Sequence, residues 1–115
     1  MNVFVTGSSS CLAQAVLPTL CAEPGVARVT GVDLAPPRYA HAKFRAAQID
    51  IRDPGLAAML EGHDALVHLA FVVLRGRTSD ADMFGVNVTG SHRVFHAARQ
   101  AGPALPTRRK SIAVI

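Results

Sequence analysis

Short apolar runs alternate along the chain with longer segments in which apolar residues recur three and four positions apart. Continuous apolar runs are typical of strands that are buried on both faces of a parallel sheet. They predict strands at residues 2–7, 27–35, 43–50, 65–73 and 111–115. The segments with helical spacing predict helices at residues 10–22, 53–64 and 79–102. This alternation indicates an α/β fold in which right-handed crossovers join parallel strands.

The first two helices contain residues that predict their faces and ends. Pro18 lies inside the first helix and is expected to kink or shorten it. The second helix is expected to have Asp53 as its N-cap and Pro54 as its first residue. The residues of the first helix that are predicted to share one buried face are Leu12, Ala15, Val16 and Leu20.

The predicted helix at 79–102 carries a wide apolar surface. Two neighbouring stripes of mainly apolar residues run along it, which is more than packing against one sheet requires. A well-buried helix explains the pattern, and so does a second partner such as another helix or another subunit. The sequence therefore leaves open a homo-oligomer that forms through this helix.

The composition limits the chain to one small globular domain. It has 115 residues, of which 50% are apolar and 17% are charged. The net charge is +4, but no basic block with interleaved aromatic residues indicates a nucleic-acid surface. We interpret the positive charge as a solvated surface with no nucleic-acid partner. Neither a secretory signal nor a membrane span is recognisable, so we expect a cytoplasmic protein with no membrane partner.

The cysteines and histidines do not form a recognisable metal-binding pattern. Cys11 and Cys21 fall ten residues apart on one predicted helix, about 15 Å along its axis, which excludes a disulfide between them. Free thiols are typical of a reducing compartment. His92 and His96 share a helix face, but no third ligand accompanies them. We therefore predict no metal site.

The stretch "VTGSSSCLA" leaves the first predicted strand and starts the first helix, as a dinucleotide-binding turn does. Such a turn carries three glycines, for the tight bend, for close approach to the pyrophosphate and for helix packing. Gly7 supplies the first, whereas Ser10 and Ala13 stand at the second and third positions. A Ser-rich turn with an N-cap explains the same residues, so the loop alone does not decide between the two interpretations.

Asp33 is a second candidate residue for the same ligand site. It ends the second predicted strand about 20 residues after the loop, where a carboxylate binds the ribose hydroxyls of the adenosine. A carboxylate there repels the 2′-phosphate of NADP, so NAD is favoured. A helix cap or a solvated turn residue is the alternative interpretation of Asp33.

The order of motifs resembles the N-terminal half of an NAD-dependent epimerase/dehydratase, an extended short-chain dehydrogenase/reductase. The resemblance covers roughly residues 1–102 and implies a Rossmann-type parallel sheet of order 3-2-1-4-5, here truncated after strand five. It implies NAD as the cofactor and residues 1–115 as a partial NAD-binding domain. The stretches that carry it are "VTGSSSCLA", "VDLAPP", "AAQIDIRDP", "LVHLAF" and "NVTGSHRVFHAARQAG".

The resemblance also implies roles for individual residues. Asp50 and Ile51 would flank the adenine, and Leu69 and Ala70 would line the nicotinamide side. Asn87 belongs to the family's Asn-x-x-Gly motif. The residues expected to bind the cofactor are Gly7, Ser10, Cys11, Leu12, Asp33, Asp50, Ile51, Leu69, Ala70 and Asn87.

The end of the chain bears on catalysis. "SIAVI" resembles the family's Ser-x-x-Val-Tyr stretch, which implies that Ser111 bonds the substrate hydroxyl or carbonyl. The preceding "PALPTRRK" departs from the apolar strand of the family. The family's Tyr-x-x-x-Lys pair is expected on a later helix, so Tyr39 and Lys43 match its spacing by chance.

The sequence thus predicts the NAD-binding portion of an epimerase/dehydratase-like oxidoreductase that is not catalytically competent alone. A non-catalytic module that senses NAD or pairs subunits is the alternative. A remnant without function is a third possibility.

Overall fold

The described part of the computed structural model comprises residues 1–70, Ser91, His92, Val94, His96 and the strand at 111–114. It contains five strands, two helices with defined bounds and part of a third helix. The helices are α1 (Cys11–Ala22) and α2 (Leu56–Leu60). The strands are β1 (Asn2–Thr6), β2 (Arg28–Asp33), β3 (Phe44–Gln48), β4 (Ala65–His68) and β5 (Ser111–Val114).

The strands form a single parallel sheet of order β3-β2-β1-β4-β5. The predicted Rossmann-type order is therefore confirmed. Thr6, at the end of the central strand, pairs with Val32 on one side and with His68 on the other. This register places the carboxyl ends of β1, β2 and β4 at the same edge of the sheet.

The core lies on both faces of the sheet, because successive residues of a strand point to opposite faces. Phe4 packs on one face with α2 and with Val94. Val3 and Val5 pack on the other face with α1. Burial on both faces is the reason that these strands read as continuous apolar runs.

Helix α1 covers almost all of the predicted helix at 10–22 but differs from the sequence prediction in its buried face. It continues past Pro18 to Ala22 and is not shortened. Pro18 is exposed, so the hydrogen bond that proline cannot donate is lost on a side that water reaches. The predicted buried face is wrong in part, because Leu12 and Ala15 are exposed. The residues buried against the sheet are Ala13, Leu17 and Cys21.

Helix α2 begins later than the sequence predicts. Its N-cap is Gly55 rather than Asp53, and no side chain caps it. The Asp53 carboxylate instead accepts a hydrogen bond from the Gly55 amide at 2.7 Å. This local turn takes the place of a helical start, because a short acidic side chain competes for nearby backbone amides.

The predicted helix at 79–102 lies mostly outside the described residues. Ser91, His92, Val94 and His96 are helical, and Val94 is fully buried. The wide apolar surface and the homo-oligomer predicted from it therefore fall outside what the structure describes. Within the described residues, no helix is long and apolar enough to cross a bilayer.

Gly31 in β2 allows a test of how closely the loop after β1 packs on the sheet, because Ser8 lies directly over this glycine. A Cβ added at Gly31 would lie 2.5 Å from Ser8 Cβ and 2.8 Å from the Phe44 ring. We expect Gly31→Ala to lower the free energy of unfolding by about 1–3 kcal/mol through this overpacking. Urea denaturation measures the change. Gly25→Ala is the control, since its nearest heavy atom is 3.9 Å away. Equal losses in the two variants would contradict the prediction.

Candidate functional site

The carboxyl edge of the sheet gathers most of the residues that the sequence singles out. The segment after β1 lies between the ends of β2 and β4, because Thr6 pairs with both Val32 and His68. Asp33 at the end of β2 pairs in turn with Gln48 of β3. In open parallel sheets, ligands bind in the crevice outside the carboxyl ends of the strands.

Gly7 makes the turn out of β1 in a way that no other residue allows. Its φ is +70°, in the left-handed region that favours glycine. Its amide donates a 2.8 Å hydrogen bond to the carbonyl of Val32. A Cβ at this position would lie 2.6 Å from the Leu69 carbonyl carbon and 2.7 Å from the Ala70 nitrogen. The first glycine of the loop is therefore required both by its φ and by the space available.

The three serines after Gly7 each hold the loop in a different way. Ser8 is buried over Gly31 of β2. Ser9 donates its hydroxyl to the Pro36 carbonyl at 2.7 Å and its amide to Asp33 at 3.0 Å. Ser10 is the N-cap of α1 and accepts from the Ala13 amide at 3.2 Å. The stretch is thus a Ser-rich turn that caps α1 and lies between β1 and α1, and its role as a dinucleotide-binding loop stays a prediction.

The first turn of α1 presents donors to an anion. The amides of Cys11 and Leu12 have no hydrogen-bond partner among the described residues, and both residues are exposed. Amides at a helix N-terminus attract negative charge, because they lack helical acceptors and lie at the positive end of the dipole. Ala13, at the third glycine position, is fully buried against the sheet and keeps α1 close to it.

Asp33 is fixed by the loop that it faces. One carboxylate oxygen accepts from the Ser9 amide at 3.0 Å, and the other accepts from the Ala35 amide at 2.9 Å. A carboxylate has about four acceptor positions, so two remain for ribose hydroxyls. Asp33 is only partly buried, which leaves these positions within reach of a ligand.

Arg38 is a neighbour of this site that the sequence reasoning missed. Its guanidinium donates to the Ser9 carbonyl at 3.2 Å and approaches the Cys11 sulfur at 3.9 Å. Arg38 is exposed and follows the Pro36–Pro37 pair after β2. No sequence motif indicates this contact, because it depends on the path of the loop after β2. That loop brings Arg38 back to the turn after β1.

Asp50 and Ile51 follow β3 at the same edge and point to different surroundings. Asp50 forms an ion pair with Arg52, with 2.7 Å between Oδ2 and Nη2. This hydrogen bond to the guanidinium holds the pKa of Asp50 below its usual value. Ile51 is buried in the core with Phe4 and Leu56, and its predicted contact with the adenine stays a prediction.

A buried polar chain connects β1, β4 and the helix that contains Ser91. Thr6 Oγ1 lies 2.6 Å from His68 Nδ1, and His68 Nε2 lies 2.8 Å from Ser91 Oγ. The same Thr6 oxygen accepts from the amides of Leu69 and Ala70 at 3.1 and 3.2 Å. Since that oxygen already accepts twice, its own hydrogen is assigned to His68 Nδ1, and His68 Nε2–H then donates to Ser91. This pattern requires a neutral ring, and burial lowers the pKa of His68.

Three residues highlighted by the sequence are not brought to this edge. Ser111 is the first residue of β5 and pairs with Ala65, the first residue of β4, about 10 Å along the strand from the carboxyl end. The substrate-binding role that the resemblance implies for Ser111 stays a prediction. Tyr39 packs against the core next to α1, and the Lys43 ammonium donates to the Glu23 carbonyl beyond the end of α1. Asn87 lies outside the described residues.

The lowered pKa of His68 predicts a loss of stability at mildly acidic pH. The unfolded chain binds a proton on this ring near pH 6.5, whereas the folded chain binds it only at lower pH. The free energy of unfolding should therefore fall as the pH drops below about 6.5. Urea titrations of the unaltered chain and of His68→Gln between pH 7.5 and 5 measure the effect. The free energy of unfolding should depend less steeply on pH in His68→Gln than in the unaltered chain. An equal pH dependence in the two proteins would contradict the prediction.

Comparison with known proteins identifies a matching family and solved structures with the same fold. The model of the NAD dependent epimerase/dehydratase family matches residues 3–108. No curated protein sequence matches the chain.

Several solved structures share the fold. Uronate dehydrogenase from Agrobacterium tumefaciens has 25% identity and a TM-score of 0.75, over 97% of this chain and 40% of its own. A short-chain dehydrogenase/reductase superfamily protein from A. tumefaciens with bound NAD has 28% identity and a TM-score of 0.74, over 89% of this chain and 30% of its own. MoeE5 in complex with UDP-glucuronic acid and NAD has 24% identity and a TM-score of 0.79, over 99% of this chain and 36% of its own.

The chain spans 40% or less of the length of these three structures. The family match, by contrast, covers nearly all of its 115 residues. This chain therefore belongs to the NAD-dependent epimerase/dehydratase family.

Proposed function

We propose that these 115 residues bind NAD and form the cofactor-binding portion of an epimerase/dehydratase-like oxidoreductase. The observation that carries the proposal is the hydrogen bond between the Ser9 amide and Asp33. It joins the loop that ends at the open N-terminus of α1 to the carboxylate at the end of β2. The pyrophosphate and the adenosine ribose are adjacent in NAD, so a site for NAD needs these two features side by side.

The residues present fit a dinucleotide. The turn at Gly7 leaves no room for a Cβ, and the amides of Cys11 and Leu12 are available to a phosphate. Asp33 would hold the ribose hydroxyls, and the pyrophosphate would bind at the start of α1. The Ser10 hydroxyl accepts a bond within the helix and keeps its own hydrogen for a phosphate oxygen.

The adenine and nicotinamide ends of the cofactor would meet different strand ends. Asp50 lies after β3, next to the adenosine side, where its charge is already paired with Arg52. Leu69 and Ala70 follow β4 on the opposite side of Gly7. The backbone at Leu69 and Ala70 would border the nicotinamide. NAD, when bound, supplies a hydride acceptor at that ring.

We further infer that these residues alone do not catalyse hydride transfer. The sequence contains a single tyrosine, Tyr39, which packs next to Cys21 at the far end of α1. Proton exchange with a substrate hydroxyl requires a group within hydrogen-bond reach of it, and Tyr39 lies away from the carboxyl edge. For the whole protein we propose oxidation or reduction at a hydroxyl-bearing carbon of a sugar, in line with the uronate and UDP-glucuronic acid named for the similar structures.

Asp33 offers the sharpest test of the proposed cofactor. We expect the chain to bind NAD more tightly than NADP in calorimetric titration. Asp33→Asn removes charged acceptors for the ribose and should weaken NAD binding about 10-fold to 100-fold. It should also narrow the preference over NADP, because the 2′-phosphate no longer meets a carboxylate while Arg38 remains nearby.

Glu61→Gln is the matched control for Asp33→Asn. It removes one negative charge from an exposed residue between α2 and β4, at the opposite edge of the sheet. Its affinities should equal those of the unaltered chain. Failure of the unaltered chain to bind NAD at millimolar concentration would refute the proposed function. Equal NAD affinity in the two variants would refute the role of Asp33.

A further inference from the structure

We propose that Thr6 and His68 are positioning residues for the nicotinamide side of the dinucleotide site, and that Ser91 couples this side to its helix. The inference rests on the proposed function, since it concerns the same site. Its basis is the hydrogen-bond chain that runs from the Leu69 and Ala70 amides through Thr6 and His68 to Ser91.

The loop after β1 packs directly against the Leu69–Ala70 peptide at Gly7. The position that a Cβ of Gly7 would take lies 2.6–2.7 Å from the Leu69 carbonyl and the Ala70 nitrogen. A displacement of this peptide by a fraction of an ångström would therefore change the contact with the loop. Thr6 holds this peptide in place, because its hydroxyl accepts from the Ala70 amide. The preceding Leu69 amide donates both to this hydroxyl and to the Thr6 carbonyl, each at 3.1 Å.

His68 determines how the Thr6 hydroxyl is oriented. A hydroxyl that accepts two N–H groups needs a third partner for its own hydrogen. The 2.6 Å contact to His68 Nδ1 supplies this partner inside a fully buried site. Without it the hydroxyl hydrogen would turn toward one of the amides, and the Ala70 N–H would lose its acceptor, whereas the Leu69 N–H would keep the Thr6 carbonyl.

Ser91 determines the tautomer of His68, although the two residues are far apart in the sequence. It accepts from Nε2–H at 2.8 Å, which leaves Nδ1 without a hydrogen and ready to accept from Thr6. Ser91 is 23 residues from His68 in sequence and lies on a separate helix. Loss of its hydroxyl should therefore alter a cofactor-binding edge that it does not touch.

The test compares three variants of the full chain in calorimetric titration with NAD. Thr6→Val removes the hydroxyl and keeps the branched shape, and it should raise the Kd for NAD about 10-fold. Thr6→Ser keeps the hydroxyl and should stay within about twofold of the unaltered chain. Ser91→Ala should raise the Kd about threefold to fivefold by loosening His68.

Two further measurements separate positioning from simple stability. His92→Ala, an exposed neighbour on the same helix, is the control and should leave the Kd unchanged. Amide hydrogen exchange without NAD should become faster at Ala70 in Thr6→Val and Ser91→Ala, while exchange in β2 stays the same. A merely structural role would lower the melting temperature without a selective change at Ala70 or in the Kd.

The outcomes are distinguishable. If the unaltered chain binds NAD and Ser91→Ala binds it equally with unchanged exchange at Ala70, the positioning inference is wrong and the proposed function stands. If the unaltered chain does not bind NAD, the proposed function and the inference both fail. If Thr6→Val does not fold, Ser91→Ala and its exchange at Ala70 decide the question.

Discussion

The close approach of two backbones at Gly7 determines much of the candidate site. The loop after β1 can pass the Leu69–Ala70 peptide only because Gly7 has no side chain. That passage directs the chain toward the start of α1 and leaves the first helical amides facing outward. It also brings Ser9 within reach of Asp33. One missing Cβ thus allows the turn, the open helix end and the carboxylate to occupy one edge of the sheet.

Most of the fold is predictable from the sequence, because its strands are buried on both faces. Residues such as Val3, Phe4 and Val5 form a continuous apolar run, which identifies the strand without any alternation. Helix ends are less predictable. Asp53 reads as an N-cap, yet its side chain binds the Gly55 amide and the helix starts later. Competition between local turns and helical starts is decided by geometry that the residue order does not encode.

The candidate site is predictable at the residues with a fixed sequence context, such as Gly7 and Asp33. Contacts that depend on the fold are not. Arg38 reaches Ser9 because the loop after β2 bends back, and His68 meets Ser91 because a distant helix packs on β4. Ser111 shows how far the placement of a motif residue depends on strand register. Its motif suggests a site residue, but the register of β5 with β4 starts the strand at the other edge.

Ser9 is held through its backbone by a carboxylate and by a guanidinium. Its amide donates to Asp33, and its carbonyl accepts from Arg38. The Ser9 amide and the Ser9 carbonyl belong to the two peptide groups on either side of one Cα, so each contact restrains the residue that the other contact binds. Their energetic effects should not add, because loss of either group weakens the remaining contact. Asp33 and Arg38 therefore act as a pair on the loop, and a substitution at one should change the effect of a substitution at the other.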